Sequence, residues 1–305
     1  MVKFGFQPAM RQFRRAHACR RRLCGGGRNQ RTQGDGGMSS GTDLVDLARR
    51  LRDAETARQP ISRLTEGTPG LTVAEAYEIQ RLNAEARITA GEVIRGHKIG
   101  LTARVMQIKF KVDEPDYGHL FDTMFVKDGD VLDLSCLIDP QIEVEPAFIL
   151  GRSLKGPGVT RDEVLAATDW IVPAFEVIDS RIRGWDIRLQ DTVADNGSSA
   201  RVVLGRVRKR PTELRLADLN TALVLDDEAV ETGSTSAILG HPAEGIAWLA
   251  NALGRHGVGL DAGQTLLPGT ATRSHRIAGC KTARAEIEDL GIVILNFTGE
   301  PTVTP

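Results

Sequence analysis

Ile142-Glu143-Val144-Glu145-Pro146-Ala147-Phe148-Ile149-Leu150 is the stretch on which the reading of this chain turns. A short apolar run of this kind predicts a strand. Side chains at i and i+2 of a strand share a face. Glu143 and Glu145 therefore point one way, and Ile142 and Val144 the other. Two adjacent carboxylates on an otherwise apolar strand repel each other. The arrangement is costly unless a cation sits between them or water surrounds them. From this strand alone, a metal site and a solvated edge strand both remain open.

A second strand narrows the choice. Trp170-Ile171-Val172-Pro173-Ala174-Phe175-Glu176-Val177-Ile178-Asp179 is apolar and ends in carboxylates, with Glu176 among residues expected to be buried. Three carboxylates from two strands make an oxygen-rich site suited to Mg²⁺ or Mn²⁺, which prefer hard ligands. Zinc recruits His or Cys more often, and neither lies nearby in sequence.

Further out, short apolar runs alternate with Gly, Pro and Asp turns from Gly96 onward. Strands are expected at Lys98–Leu101, Gly118–Phe121, Val202–Leu204, Ala222–Leu225, Thr265–Leu267 and Ile292–Phe297. Two helices interrupt them. One follows the Thr160/Glu163 capping box, and the other starts at Pro242, a favoured first helical position. Before Gly96 the texture is helical. Leu44, Leu47 and Leu51 recur at helical spacing behind Ser40 and Asp43, and Pro60 ends that region. The Thr72/Glu75 capping box opens a second helix that Gly91 closes. Strands with few intervening helices predict an α+β fold with a mixed or antiparallel sheet. No internal repeat, Gly-x-Gly-x-x-Gly turn or Walker-type loop is present.

The 305 residues are 41% hydrophobic and 26% charged, as in a globular protein able to bury a sizeable core. No apolar run reaches the length of a membrane span. Four cysteines exclude a disulfide scaffold and fit a reducing cytoplasm. The net charge of −1 hides a split: residues 1–37 hold nine Lys or Arg and one Asp, so the other 268 residues carry −9. An acidic body argues against nucleic-acid binding. The basic segment lacks an apolar period and is expected to be a disordered tail, with Met38 as a candidate natural start. A transit peptide and a nucleic-acid or membrane arm are the competing readings. A zinc site of His17, Cys19 and Cys24 lacks a fourth ligand. The expected organisation is a tail over 1–38, a helical region over 39–95 and a β-rich catalytic domain over 96–305.

Three other segments are polar where a core would not be. His97-Lys98-Ile99-Gly100-Leu101-Thr102 places a lysine on an apolar strand. Asp113-Glu114-Pro115-Asp116-Tyr117-Gly118 is an acidic turn. Asp191-Thr192-Val193-Ala194-Asp195-Asn196-Gly197-Ser198-Ser199 reads as a loop of small polar residues able to bind a ligand.

Taken with Leu239-Gly240-His241-Pro242 and the continuation Ser180-Arg181-Ile182, these segments resemble the 2-hydroxypenta-2,4-dienoate (2-keto-4-pentenoate) hydratases and 4-oxalocrotonate decarboxylases of the fumarylacetoacetate hydrolase superfamily. The resemblance covers about residues 42–298, in order and with consistent spacing. It implies a mixed β-roll with an N-terminal helical region. It implies a Mg²⁺ or Mn²⁺ site at Glu143, Glu145 and Glu176, with Lys98 and Asp116 as catalytic groups. Asp179, Asp195, Asn196, Ser198 and Thr270 are implied to bind substrate. A lysine beside the metal is expected to have a lowered pKa, suited to proton transfer. Pro146 departs from the usual Leu or Ile and predicts an edge or bend in its strand.

The activity implied is metal-dependent hydration of 2-hydroxypenta-2,4-dienoate, through its 2-oxo enone tautomer, to 4-hydroxy-2-oxopentanoate in aromatic catabolism. The alternative is decarboxylation of 2-oxo-3-hexenedioate. An acylpyruvate-type hydrolase and a non-catalytic partner subunit are further readings. A cytoplasmic homo-oligomer that associates with other pathway enzymes is implied, with no nucleic-acid or membrane partner.

Overall fold

The computed structural model describes residues 41–303. The predicted tail over 1–38, its cysteines and the Ser40 cap lie outside the described residues. The helical layer comprises α1 (Gly41–Ala57), α2 (Leu64–Gly67) and α3 (Val73–Thr89). Thr72 opens α3 as expected: its Oγ1 accepts from the Glu75 N–H at 3.2 Å, and Glu75 Oε2 accepts from the Thr72 N–H at 2.9 Å. Such a cap is worth about 1 kcal/mol. Leu47, Leu51, Ala76 and Ile79 bury the facing stripes of α1 and α3 in a hydrophobic cluster that also takes in Leu64, Ile182 and Val193. Among the described residues no helix is long and apolar enough to cross a membrane.

Two sheets follow. The larger has the path β2-β1-β10-β5-β6-β7-β3, with β11 also on β5. These strands are β1 (Ile94–Gly100), β2 (Asp116–Phe121), β3 (Phe125–Lys127), β5 (Pro140–Leu150), β6 (Thr168–Asp179), β7 (Ser199–Leu204), β10 (Thr265–Leu267) and β11 (His275–Arg276). Parallel β1–β10 and β3–β7 pairs among antiparallel ones make the sheet mixed. The smaller sheet runs β4-β13-β12-β8-β9: β4 (Val131–Asp133), β8 (Asn220–Leu225), β9 (Glu228–Ser234), β12 (Thr282–Ile287) and β13 (Gly291–Thr298). Four further helices, α4 (Arg104–Phe110), α5 (Arg161–Ala167), α6 (Leu189–Ala194) and α7 (Pro242–Gly254), complete the α+β architecture.

Period-two alternation decides which face of β5 and β6 is core. Ile142, Val144, Phe148, Ile171, Phe175 and Val177 pack with Leu223, Val293 and Leu295 of the smaller sheet and with Ile246 and Leu249 of α7. The opposite face carries Ala147, Val172 and Ala174 in a smaller cluster with Leu120, Val202 and Leu267. Glu143, Glu145 and Glu176 belong to that second face.

The edge or bend expected at Pro146 is not observed. β5 runs unbroken through the middle of the sheet, and Pro146 stands directly opposite Pro173 of β6. Opposed antiparallel residues either exchange both N–H bonds or neither. Two facing prolines occupy the second kind of pair, so no bond between these strands is lost. On the other flank β10 ends at Leu267, and its ladder to β5 involves Ile149 and Phe148, short of Pro146.

The segment 191–199, expected as a loop, contains the end of α6, then a 3-10 turn over Asn196–Ser198, then β7. The helix end is fixed by partners far away in sequence. Asp191 accepts from Thr65 N and Oγ1 at 3.0 and 2.8 Å. Gln80 of α3 donates to the Val193 carbonyl at 2.8 Å and to the Tyr117 carbonyl at 2.9 Å.

Candidate active site and metal centre

Strand register places Glu143 opposite Glu176, two rungs from the Glu145–Ala174 pair. A carboxylate oxygen from each of Glu143, Glu145 and Glu176 lies within 4.8 Å of the others. Glu145 and Glu176 are fully buried and Glu143 partly so. One Glu145 oxygen accepts from the Gly269 N–H at 2.8 Å. The other makes no hydrogen bond, nor does either Glu176 oxygen. Beyond the Lys98 ammonium, 3.4 Å from Glu176 Oε2, and the neighbouring Ser199 hydroxyl, these acceptors face one another without donors. Buried oxygens short of donors are what a hard divalent cation satisfies, so the residues present fit such an ion.

The electrostatics follow from burial. Burial pushes the Glu143 carboxyl up to about 7, against the pull of Lys98, with Glu176 and Asp116 adding to the rise. Burial and the two neighbouring glutamates hold Glu145 well above the usual carboxylate range. Glu176 is raised by burial too, opposed by Lys98 and by the hydroxyl of Ser199.

Lys98 lies on β1, where the lowered pKa expected of a lysine beside a metal is set against the pull of the cation-free carboxylates. Burial does push the ammonium down, but Glu176, Glu143, Asp116 and Glu145 outweigh it and raise the group. Among the protein's own groups Lys98 is the buried counter-ion of these carboxylates.

Asp116 opens β2 and shares a face with Lys98: Lys98 pairs with Gly118, and Gly100 with Asp116. Both glycines leave necessary space. A Cβ on Gly100 would lie 2.1 Å from Asp116 Oδ1, and one on Gly118 would lie 2.3 Å from the Asn196 carbonyl oxygen. Asp116 Oδ1 is buried without a hydrogen bond, and burial raises the carboxyl against the pull of Lys98.

The remaining expected residues divide. Ser198 is buried in the turn beside Lys98 and donates its hydroxyl to Asp195 at 3.0 Å. Thr270 follows Gly269, and its hydroxyl donates to the Thr272 carbonyl at 2.8 Å. Asp179, Asp195 and Asn196 are not brought to the carboxylate cluster. Asp179 accepts from the Ile138 and Asp139 N–H groups at 2.9 and 2.7 Å. Asp195 is held by Arg181. Asn196 accepts from the His119 N–H at 2.7 Å and donates to the His119 carbonyl at 2.9 Å. These bonds tie the three side chains to Arg181, to Ser198 and to neighbouring backbone.

The sequence alone assigns no role to Arg181, Gly100 and Gly269. Ser199, the end of the polar segment, is brought to Glu176 by the pairing of β7 with β6. The glycines show themselves only through the register.

Comparison with known proteins agrees with this geometry. Residues 88–297 match the fumarylacetoacetate (FAA) hydrolase C-terminal family. The chain is 40% identical over 263 residues to a 2-hydroxyhexa-2,4-dienoate hydratase of Comamonas testosteroni, covering 86% of this chain and 100% of that protein. It is 41% identical over 264 residues to a 2-keto-4-pentenoate hydratase of Burkholderia vietnamiensis, with the same coverage of 86% and 100%. A solved 4-oxalocrotonate decarboxylase from Pseudomonas putida, complexed with magnesium and adipate, superposes with a TM-score of 0.83 at 34% identity, covering 86% of this chain and 99% of that one. With its mixed sheet, its site on the second face of β5 and β6, and these relatives, the chain belongs to the fumarylacetoacetate hydrolase family.

Proposed function

We propose that this chain is a hydro-lyase that hydrates 2-hydroxypenta-2,4-dienoate to 4-hydroxy-2-oxopentanoate. The observation that carries the reading is the convergence of Glu143, Glu145 and Glu176 within 4.8 Å, short of donors and beside Lys98. It occurs in a chain 40–41% identical to dienoate and pentenoate hydratases. Mg²⁺ or Mn²⁺ held by the three glutamates would supply Lewis acidity toward an enolate oxygen. The magnesium complex of the decarboxylase relative supports a divalent ion here.

The chain's own residues account for the proton traffic. Hydration first moves a proton from the enol oxygen to C5, giving the conjugated 2-oxo enone. Water then places hydroxide on C4 and a proton on C3. Lys98, charged and buried, orients the anionic substrate and holds a proton beside it. Asp116, raised by burial, is the group two rungs away that exchanges protons with the reacting carbon or water. Ser198, in the turn against Lys98, and Thr270, next to the Gly269 that donates to Glu145, flank the site. Leu120, Val172, Val202 and Leu267 supply the apolar wall that excludes bulk water.

The second reading, decarboxylation of 2-oxo-3-hexenedioate, is favoured by the likeness to the decarboxylase structure. Turnover of both compounds with product identification separates the two. A hydratase consumes the five-carbon dienol without releasing CO₂. One CO₂ per diacid consumed, with no hydration of the dienol, would transfer the assignment. A cytoplasmic homo-oligomer that associates with other enzymes of the pathway belongs to the same proposal. The free thiols of Cys136 and Cys280 fit a reducing compartment.

A further inference from the structure

Asn196, Gly197 and Ser198 are three consecutive residues with left-handed backbone, at φ of 59°, 60° and 56°. Only the middle one adopts that conformation without steric cost, and Asn tolerates it better than Ser. Strain of this kind persists where its surroundings over-determine it, and it gathers at functional sites.

The surroundings are unusually committed. Asp195, immediately before the turn, accepts from Arg181 Nε and from the Arg181 N–H at 3.1 Å. The same guanidinium donates to the carbonyls of Asp179 at 2.8 Å, Ser199 at 3.4 Å and Asp195. Arg181 and Asp195 are both buried. On the other side the Asn196 side chain grips both backbone groups of His119. The turn thereby sits down on the bare Gly118 of β2.

Lys98 is what the turn touches. A Cβ on Gly197 would stand 3.1, 3.2 and 3.3 Å from Lys98 Cδ, Cε and Nζ. Gly118 is the β2 partner of Lys98. Asn196–Ser198 therefore packs along the outer half of the lysine. Arg181 lies two residues beyond the end of the strand that carries Glu176. The same bonds thus join the two ends of the 3.4 Å Lys98–Glu176 contact.

We infer that Arg181 and Asn196 are positioning residues: the Arg181–Asp195 pair and the Asn196 clamp hold the left-handed turn against Lys98 and fix where its ammonium sits. The inference rests on Lys98 being the proton-handling group proposed above. Asn196 then acts on the reaction through Lys98 and not by binding substrate.

Asn196→Gly tests this with the least disturbance, because glycine keeps the left-handed backbone while removing the clamp. Kcat for the dienol should fall about tenfold, since small misplacements of a reacting group are amplified in rate. KM and Mn²⁺ affinity should stay within about twofold of the parent, and in a Lys98→Met background the same substitution should add less than about a twofold loss. Arg181→Lys keeps the charge, loses the carbonyl contacts, and should act in the same direction. Asn251 makes a like clamp on Val159, at 2.8 and 2.9 Å, and serves as control. Asn251→Ala should lower the melting temperature and leave kcat alone.

A readout free of substrate is the ¹⁵N resonance of the Lys98 ammonium, assigned by its absence in Lys98→Met. It should shift or broaden in Asn196→Gly and stay put in Asn251→Ala. Independent, multiplicative losses for Asn196→Gly and Lys98→Met, or an unmoved Lys98 resonance, would overturn the inference. If the chain decarboxylates the diacid instead, the hydratase reading fails and the same cycle is run on that substrate. If neither compound turns over, the resonance alone decides.

Discussion

Glu143 and Glu176 stand opposite each other across the β5–β6 ladder, and Glu145 lies two residues along on the same face. Their oxygens come within 4.8 Å with few donors to satisfy them. Chelation should therefore abolish activity, and Mg²⁺ or Mn²⁺ should restore it. Glu145→Gln should weaken Mn²⁺ binding by more than roughly 100-fold, exceeding the usual loss for a residue that only supports a ligand. The Gln carbonyl can still accept from Gly269, and one repelling charge is gone. The metal-free variant should then be at least as stable as metal-free parent. Calorimetric titration and thermal melts check both halves, and full activity of the chelated enzyme would refute the site.

Lys98 is the only cation placed among these glutamates by the described residues' ion pairs. Lys98→Met should lower kcat by about 10²-fold or more, the range for general acid–base groups. Mn²⁺ binding should persist or tighten, because the lysine is not a ligand and its buried positive charge opposes the ion. A near-normal kcat would reduce Lys98 to a structural counter-ion.

The centre of the site is legible in sequence because strand alternation is local. Glu143, Glu145 and Glu176 need only a period of two and one antiparallel pairing to meet. The strands at Pro140–Leu150, Thr168–Asp179 and Gly291–Thr298 are apolar enough to show themselves. β12 does alternate, but through Ala283 and Ala285, residues of low strand preference. β9 is largely polar, with Val230 its one large apolar residue, as an outer strand can be. What stays hidden is tertiary. Asp195 and Asn196 read in sequence as ligand-binding groups, and their bonds to Arg181 and to the His119 backbone are visible only in the fold. The charge state of Lys98 depends on carboxylates from three strands.

His97 and His119 face each other on the other side of β1 and β2, with ring centroids 5.2 Å apart and both Nδ1 atoms buried without hydrogen bonds. Burial lowers His119 from 6.5 to about 4, and burial plus the neighbouring ring lowers His97 well below 6.5. Between pH 6.5 and 4 the unfolded chain binds protons that the native state refuses. Their contribution to stability is present above pH 6.5 and is lost as pH falls, by about 1 kcal/mol per pH unit for each ring. Buried carboxyls raised by burial, such as Asp195 at about 6, act with the opposite sign. The histidine effect is isolated as the difference between parent and His119→Phe. Denaturant unfolding should show that difference moving in favour of the variant as pH drops from 6.5 to 4. A difference independent of pH would show that His119 takes up its proton without cost.

Gly100 is the position where space alone decides chemistry. Its missing Cβ is the room in which Asp116 Oδ1 sits, 2.1 Å from where that carbon would be. Asp116 is buried, so it has little freedom to swing away. Gly100→Ala should thus displace the carboxylate and strain the β1–β2 pair, costing about 1–3 kcal/mol of stability as overpacking does. Activity should fall to the level of Asp116→Ala, because both changes take the same oxygen out of place. The double variant Gly100→Ala/Asp116→Ala removes the clash as well as the charge. It should regain most of the stability lost by Gly100→Ala, yet be no more active than either single variant. This split separates a positioning role from a general packing defect. If Gly100→Ala lost stability but kept kcat, Asp116 would not be part of the proton path. If the double variant regained activity, the carboxylate would be a hindrance rather than a participant.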